Sequence, residues 1–494
     1  MTNSIKVDSS GNTGVLGFAS RAFLIAVLTG WSAVTIYGWN AALRQTTDLD
    51  YAEGWHVYAA QQAFPGGHHA GAVRAVPHNV LPYPPLGYIL NGTVGKALGG
   101  GLEATRKAGH YCAFGFTLIA ALLIVCLCRM LGARWSYSAF AAVVFLNLHS
   151  IQLFAVSLRP YALSLTLTLL AVYVSLRFNT AWAAGVLLTL AVFAKHSYIS
   201  VPAVFFSGYC IGREWKSVYA LVLGAVVTCV VAVWVSLWTM GPHWLEGPLL
   251  QGFHGAKPGQ VLYLMFIACR GAALPLAAGL AVAAMPGLTR PARFLSAAMI
   301  VSFLLNVVAM VKPGASMNYV LEPAAFALVL AAYGLEHSLP RVSARARAAL
   351  WLATALTLLL LPGLDSIVAL RAARAETAGA SNREDVLRYL KGVQGPILAT
   401  ESWMYFESNH EPWVCPSDLV SVAVEGGIIP AEPMLERLRS GYFSAIAMTA
   451  TARTERPFPA SWTEAIARNY SLDKNINGVE VYVPKPENMR KVAP

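Results

Sequence analysis

Charge is what this sequence has least of. Only 12% of its 494 residues are Asp, Glu, Lys or Arg, about half the share of a soluble globular chain. Together with 56% hydrophobic residues and a mean hydropathy of +0.53, that scarcity excludes a soluble domain over most of the length. Acidic residues are the scarcer sign, 25 against 36 Lys and Arg, for a formal net charge of +11. The excess does not point to nucleic acid, because the cations sit in short connections between apolar runs, where they set topology. Cysteine offers no disulfide framework. Cys126, Cys128, Cys210, Cys229 and Cys269 lie inside apolar segments, and only Cys415 falls in the polar C-terminal stretch. Internal repeats and low-complexity tracts are also missing. The apolar run 22–43 is long for a signal-peptide core and lacks a convincing cleavage site, which predicts an uncleaved anchor.

What the chain does have is a series of apolar runs of membrane-spanning length. They fall near 22–43, 109–128, 136–156, 161–176, 180–194, 198–212, 217–239, 260–286, 294–311, 319–336 and 348–370. The predicted fold is an α-helical polytopic membrane protein of about eleven spans, with a small C-terminal α/β domain. Residues 84–99 are apolar but interrupted by Asn91, Gly92, Gly95 and Lys96, so they read as a helix lying at the interface. With that segment excluded, Arg129, Arg134, Arg177, Arg213, Lys216, Arg290, Arg293, Arg341, Arg345 and Arg347 share one side. The opposite connections carry mostly one cation each, Arg159, Lys195, Lys257 and Lys312. The positive-inside rule then puts the N-terminus in the cytoplasm and the tail outside. The division expected is 1–370, a membrane domain that includes a first outside loop 44–108, and 371–494, an outside domain. In the tail PILAT (396–400), YFSAIAMT (442–449) and VEVYVP (479–484) read as strands, and REDVLRYLKGV reads as helix.

The first outside loop carries the chemistry-bearing residues. It opens TTDLDYAEGWHVYAAQQ, which places Asp48, Asp50 and Glu53 just beyond the first span. Carboxylates there suit activation of a hydroxyl or retention of a divalent cation, and equally a solvated charged loop. HNVLPYPPLGYIL follows, with Tyr83, Tyr88 and two prolines that fix an extended approach to the interfacial helix. The histidines His56, His68, His69 and His78 match no specific metal-ligand spacing. Three further segments fall on the same side: SLRPYALSL (157–165), AKHSYIS (194–200) and KPGASMNYVLEP (312–323).

An acidic motif after the first helix, a YPPL-type segment and a basic residue opening the next helix (Arg106) together resemble the GT-C superfamily of glycosyltransferases. The similar branch holds protein O-mannosyltransferases, lipid A aminoarabinose transferases and bacterial family 39-like enzymes. DYAEGWHVY resembles a DYxEGW pattern in uncharacterised members of that branch. The resemblance covers most of the chain and implies an inverting transferase. It would take a sugar from a polyprenyl-phosphate donor to a glycan, lipid or protein acceptor outside the bacterial inner membrane. By that resemblance Asp50 is the candidate base, Glu53 orients the acceptor or a metal, and Asp48 competes for either part. Arg159 and Lys195 are candidates for the donor phosphate, an Arg through paired hydrogen bonds and a Lys as a point charge. Snorkelling to the interface is the plainer reading of Lys195. Tyr83, Tyr88, Tyr161, His196, Asn318, Tyr319 and Glu322 are candidates for substrate contact, although Glu322 also complements the dipole of the helix it opens. The sequence settles no cofactor, a divalent cation held by Asp50 and Glu53 is left open, and membrane lipids are expected partners. The competing reading is a transporter or flippase of lipid-linked glycans, against which no half-to-half symmetry is seen.

Overall fold

The structure, a computed structural model, describes residues 10–45, 48–49, 53–63, 73–250, 258–311, 317–338, 341–449 and 458–489. The first described helix is α1 (Ser10–Leu43). The connection after it carries α2 (Glu53–Gln62), the short strand β1 (His78–Asn79) and α3 (Leu86–Ala97). Next come α4 (Gly101–Met130), α5 (Trp135–Leu146), α6 (His149–Phe154) and α7 (Tyr161–Phe178). They are followed by α8 (Ala181–Ala194), α9 (Ser200–Ile211), α10 (Trp215–Met240) and α11 (Glu246–Leu250). The helical part closes with α12 (Pro258–Ala283), α13 (Arg290–Ala309), α14 (Leu321–Ser338) and α15 (Ala344–Gly392).

Among the described residues six helices are long and apolar enough to cross a bilayer on their own. A seventh span results if the arms of α12, bent by 88° between Gly259–Ile267 and Gly271–Ala283, count as one. α5, α8 and α9 are apolar but hold 12, 14 and 12 residues, short of the ~20 that a ~30 Å hydrocarbon core requires. The chain is therefore a multi-pass helical membrane protein. Every predicted run overlaps helix, and among the described residues length and composition alone pick out six spans, or seven with the bent pair.

The third predicted run, 136–156, breaks between α5 and α6. Asn147, at the break, accepts from Thr35 Oγ1 at 2.8 Å and donates to Ser32 Oγ at 3.1 Å. Gln152 donates to the same Thr35 hydroxyl at 2.8 Å. These bonds tie α5 and α6 to α1, a polar seam that is favourable where no water competes. α14 is the centre of the bundle, with 89% of its apolar window buried. α10 lies at the other extreme, with only 17% of its window buried. Val226, Val230, Trp234 and Trp238 are exposed along it, a surface that lipid rather than water solvates. α8 and α10 approach closely because glycines face each backbone. A Cβ on Gly185 would lie 2.2 Å from the Leu221 carbonyl oxygen, and one on Gly224 would lie 2.3 Å from that of Trp182.

The C-terminal stretch holds β2 (Ile397–Ala399), α16 (Ser402–Phe406), β3 (Val414–Cys415), α17 (Ser417–Glu425), α18 (Glu432–Arg439), β4 (Ala445–Thr449), β5 (Tyr470–Ile476) and β6 (Val479–Pro484). Four strands form one sheet in the order β2-β4-β6-β5, with β2 parallel to β4 and the other pairs antiparallel. The three predicted strand segments contain β2, β4 and β6, and the REDVLRYLKGV segment closes α15, which runs through 370 and 371 unbroken. One pairing crosses between distant parts of the chain. β1 in the first connection lies parallel to β3 in the tail, His78 opposite Val414 and Asn79 opposite Cys415.

Candidate functional site

Two buried carboxylates organise the start of the first connection. Glu53 opens α2 and is fully buried. Its Oε2 accepts from the Leu49 peptide N–H, and its Oε1 accepts from the Leu158 N–H at 2.8 Å. His110 Nε2 lies 2.8 Å from the same Oε1. Glu53 thus fastens the connection to α4 and to the segment leading into α7. Asp48 receives Arg106, whose Nε and terminal nitrogen lie 3.1 and 2.9 Å from its Oδ1. The same guanidinium donates to Glu407, just past α16, at 2.9 Å. Arg106 and His110 serve neighbouring carboxylates because residues four apart share one helix face. Asp48 Oδ2 faces Gly54, where a Cβ would lie 2.7 Å from it and 3.1 Å from Ser402 Oγ. Burial outweighs the Arg106 guanidinium and, helped by the charges of Glu53 and Glu407, pushes the Asp48 carboxyl up to about 7.

A second group surrounds Lys195, in the turn between α8 and α9. Its ammonium sits 4.2 Å from the Tyr161 ring centroid, 4.6 Å from that of Tyr319 and 5.7 Å from that of Tyr198. The residue is only 3% exposed, so it does not snorkel. It occupies an aromatic box whose ring faces attract a cation. The hydroxyls of Tyr83 and Tyr161 lie 3.1 Å apart. Tyr83 stacks on His56 with centroids 5.4 Å apart, His56 on Tyr88 at 5.6 Å, and the His196 ring lies 6.5 Å from Tyr83. His56, Tyr83 and Tyr88 line a small pocket with Asn91 and Pro160. Arg159 precedes Pro160, close enough for its charge to act on the Tyr88 and Tyr161 hydroxyls.

Most residues singled out from sequence therefore meet in one region. Tyr83, Tyr88, Tyr161, Lys195, His196 and Tyr319 form a contiguous aromatic and cationic group with Arg159 beside it. Glu322 is buried behind the box, where Ser200 on α9 and Ser302 on α13 both donate to its Oε2. Asn318 is 4% exposed. Asp50 lies outside the described residues, as do His68, His69, Lys257 and Lys312. A metal at Glu53 fits poorly, since two peptide N–H groups and His110 already occupy its oxygens. Among the described residues no group of three His, Cys, Asp or Glu is placed to hold a metal. Sequence reasoning assigned no part to His110, Glu407, Tyr198, Ser200 or Ser302. The i, i+4 spacing of Arg106 and His110 was the available signal for the first of these. The second long connection also closes on the first. Glu246 accepts the Val73 N–H at 2.7 Å and contacts His243 at 2.7 Å.

No family model and no curated protein matches the chain by sequence. Solved structures do match. ArnT from Cupriavidus metallidurans in the apo state gives a TM-score of 0.61 at 16% identity, covering 93% of this chain and 98% of that one. The same protein bound to undecaprenyl phosphate gives 0.59 at 15% identity, with equal coverage. AglB, the oligosaccharyltransferase of Archaeoglobus fulgidus, in complex with an inhibitory peptide and a dolichol-phosphate gives 0.55 at 12% identity. That match covers 94% of this chain and 74% of the archaeal one. Both neighbours belong to the GT-C superfamily, and a likeness that runs over almost the whole of this chain shows that it has the GT-C fold.

Proposed function

We propose that this protein is an inverting glycosyltransferase that moves a sugar from a polyprenyl-phosphate donor to a glycan, lipid or protein acceptor. The work takes place on the outer face of a bacterial inner membrane, with the N-terminus in the cytoplasm and residues 371–494 outside. The observation that carries this reading is the boxed Lys195 with Arg159 beside it, set in a fold shared with a protein solved with undecaprenyl phosphate. The acceptor hydroxyl attacks the anomeric carbon as the bond to the donor phosphate breaks. The phosphate leaves with the bonding pair, and the hydroxyl proton passes to a base. Arg159 and Lys195 neutralise the leaving phosphate, and the tyrosine rings hold the ammonium away from water, where its charge acts more strongly. By the resemblance Asp50 is the base; peptide N–H groups take both oxygens of Glu53, and Arg106 takes Oδ1 of Asp48. Tyr83, Tyr88, His196 and Asn318 contact sugar or acceptor, and Glu322 holds the box in place.

The test is transfer from a panel of polyprenyl-phosphate sugars by purified protein, with membrane extract as acceptor and with or without EDTA. Lys195→Met and Arg159→Ala should each lower kcat/KM about 10²-fold, and Asp50→Asn about 10²–10⁴-fold, with thermal unfolding unchanged. Full activity in Lys195→Met and Arg159→Ala removes the phosphate assignment. A folded wild type that turns over none of the donors defeats the transferase reading. The EDTA arm separates metal-dependent from metal-free transfer.

A further inference from the structure

α4 carries the chain about 35 Å from Arg106 to Met130, and a second polar feature lies at that far end. Arg21 of α1, Arg134 at the start of α5 and Arg347 in the first turn of α15 line a 500 Å³ cavity. Arg134 is held there by Glu336, which it meets through both Nε and a terminal nitrogen at 2.9 and 2.7 Å. Arg21 and Arg347 pair with no carboxylate among the described residues. Two guanidiniums thus line one open cavity without a counter-charge among the described residues.

The cavity does not end at the arginines. Phe140 and Trp351 also wall an adjoining 300 Å³ groove between α5, α12, α14 and α15, lined by Leu274, Val282, Leu328 and Leu335. Trp351 is 7% exposed, and its indole N–H has no acceptor among the described residues. A buried donor of that kind is normally satisfied by some partner. From one end to the other the feature offers two cations and one N–H donor without partners among the described residues, and an oily slot.

We propose that this cavity and groove bind one anionic diacyl phospholipid from the leaflet at the basic end of the bundle. Its phosphate lies between Arg21 and Arg347, an ester carbonyl accepts from Trp351 Nε1, and one acyl chain fills the groove. A basic pocket between membrane helices is the form in which charged headgroups are recognised. A zwitterionic phospholipid brings a cation of its own to the arginines. A polyprenyl phosphate has no ester carbonyl for the indole.

Native mass spectrometry of the full-length protein tests this, with phosphatidylglycerol, phosphatidylcholine and undecaprenyl phosphate supplied at equal concentration. Phosphatidylglycerol should be retained well above phosphatidylcholine. Arg21→Ala combined with Arg347→Ala should weaken its retention about thirtyfold, the corresponding Lys pair should recover most of it, and Trp351→Phe should lower it several-fold. Arg213→Ala with Arg293→Ala, exposed cations in connections on the same predicted side, should change nothing. Equal retention of the two phospholipids, or an equal loss in the Arg213/Arg293 pair, overturns the site. Preferential retention of undecaprenyl phosphate, insensitive to Trp351→Phe, assigns the pocket to a carrier lipid and overturns the proposed occupant.

Discussion

Glu53 and Asp48 lie five positions apart in one connection, both buried, and their oxygens are satisfied to different extents. Glu53 is met by a peptide N–H group on each oxygen. Asp48 shares Arg106 with Glu407 and keeps one oxygen against Gly54 and Ser402, and its carboxyl is raised to about 7. The sign of the consequence follows. A carboxyl that is easier to protonate when folded gives its full stabilisation below the unfolded value, ~4. That stabilisation declines as the pH rises and is gone once the folded value is passed. Wild type should therefore lose on the order of 2 kcal/mol relative to Asp48→Asn between about pH 5 and pH 7. Thermal unfolding of both proteins across that range checks it, and parallel curves would show that Asp48 is already ionised at the lower pH.

At the level of helices and strands, packing decided what composition left open. α8 and α10 lie together because Gly185 and Gly224 leave no side chain between the two backbones. Gly185→Val should cost about 2 kcal/mol or more, since a backbone carbonyl 2.2 Å from the new Cβ cannot rotate aside. The readout is the unfolding temperature in detergent, with Gly208→Val, whose Cβ meets nothing within 4 Å, as the control that should stay near wild type. Helices were the legible part of the fold, because apolar runs announce themselves. The break at Asn147 was not legible, since it depends on Ser32 and Thr35 more than a hundred positions earlier. β5 was equally silent. It runs along the edge of the sheet with Ser471 to Asn475 exposed, so it shows no alternation of buried and open positions.

The molecule as a whole is joined across its two ends by one guanidinium. Arg106 on α4 holds Asp48 of the first connection and Glu407 of the tail, and β1 reinforces the join by pairing with β3. A double-mutant cycle on Arg106→Gln and Glu407→Gln should give a coupling of about 1–2 kcal/mol in unfolding free energy. A value near zero would mean that the β1–β3 pairing and apolar contacts hold the tail without help from this guanidinium. The region of the candidate site was legible because SLRPYALSL opens α7, AKHSYIS joins α8 to α9 and MNYVLEP opens α14. The box around Lys195 was not, because it is assembled from three separate turns. The two helices that flank this lysine add a consequence of their own. α8 and α9, with 14 and 12 residues, rise only about 21 and 18 Å. A bilayer meeting such short walls thins toward them, and the headgroup plane dips on that flank. Under the proposed function, a carrier arriving there would bring its phosphate near the level of Lys195, with little vertical distance to climb before its charge is matched.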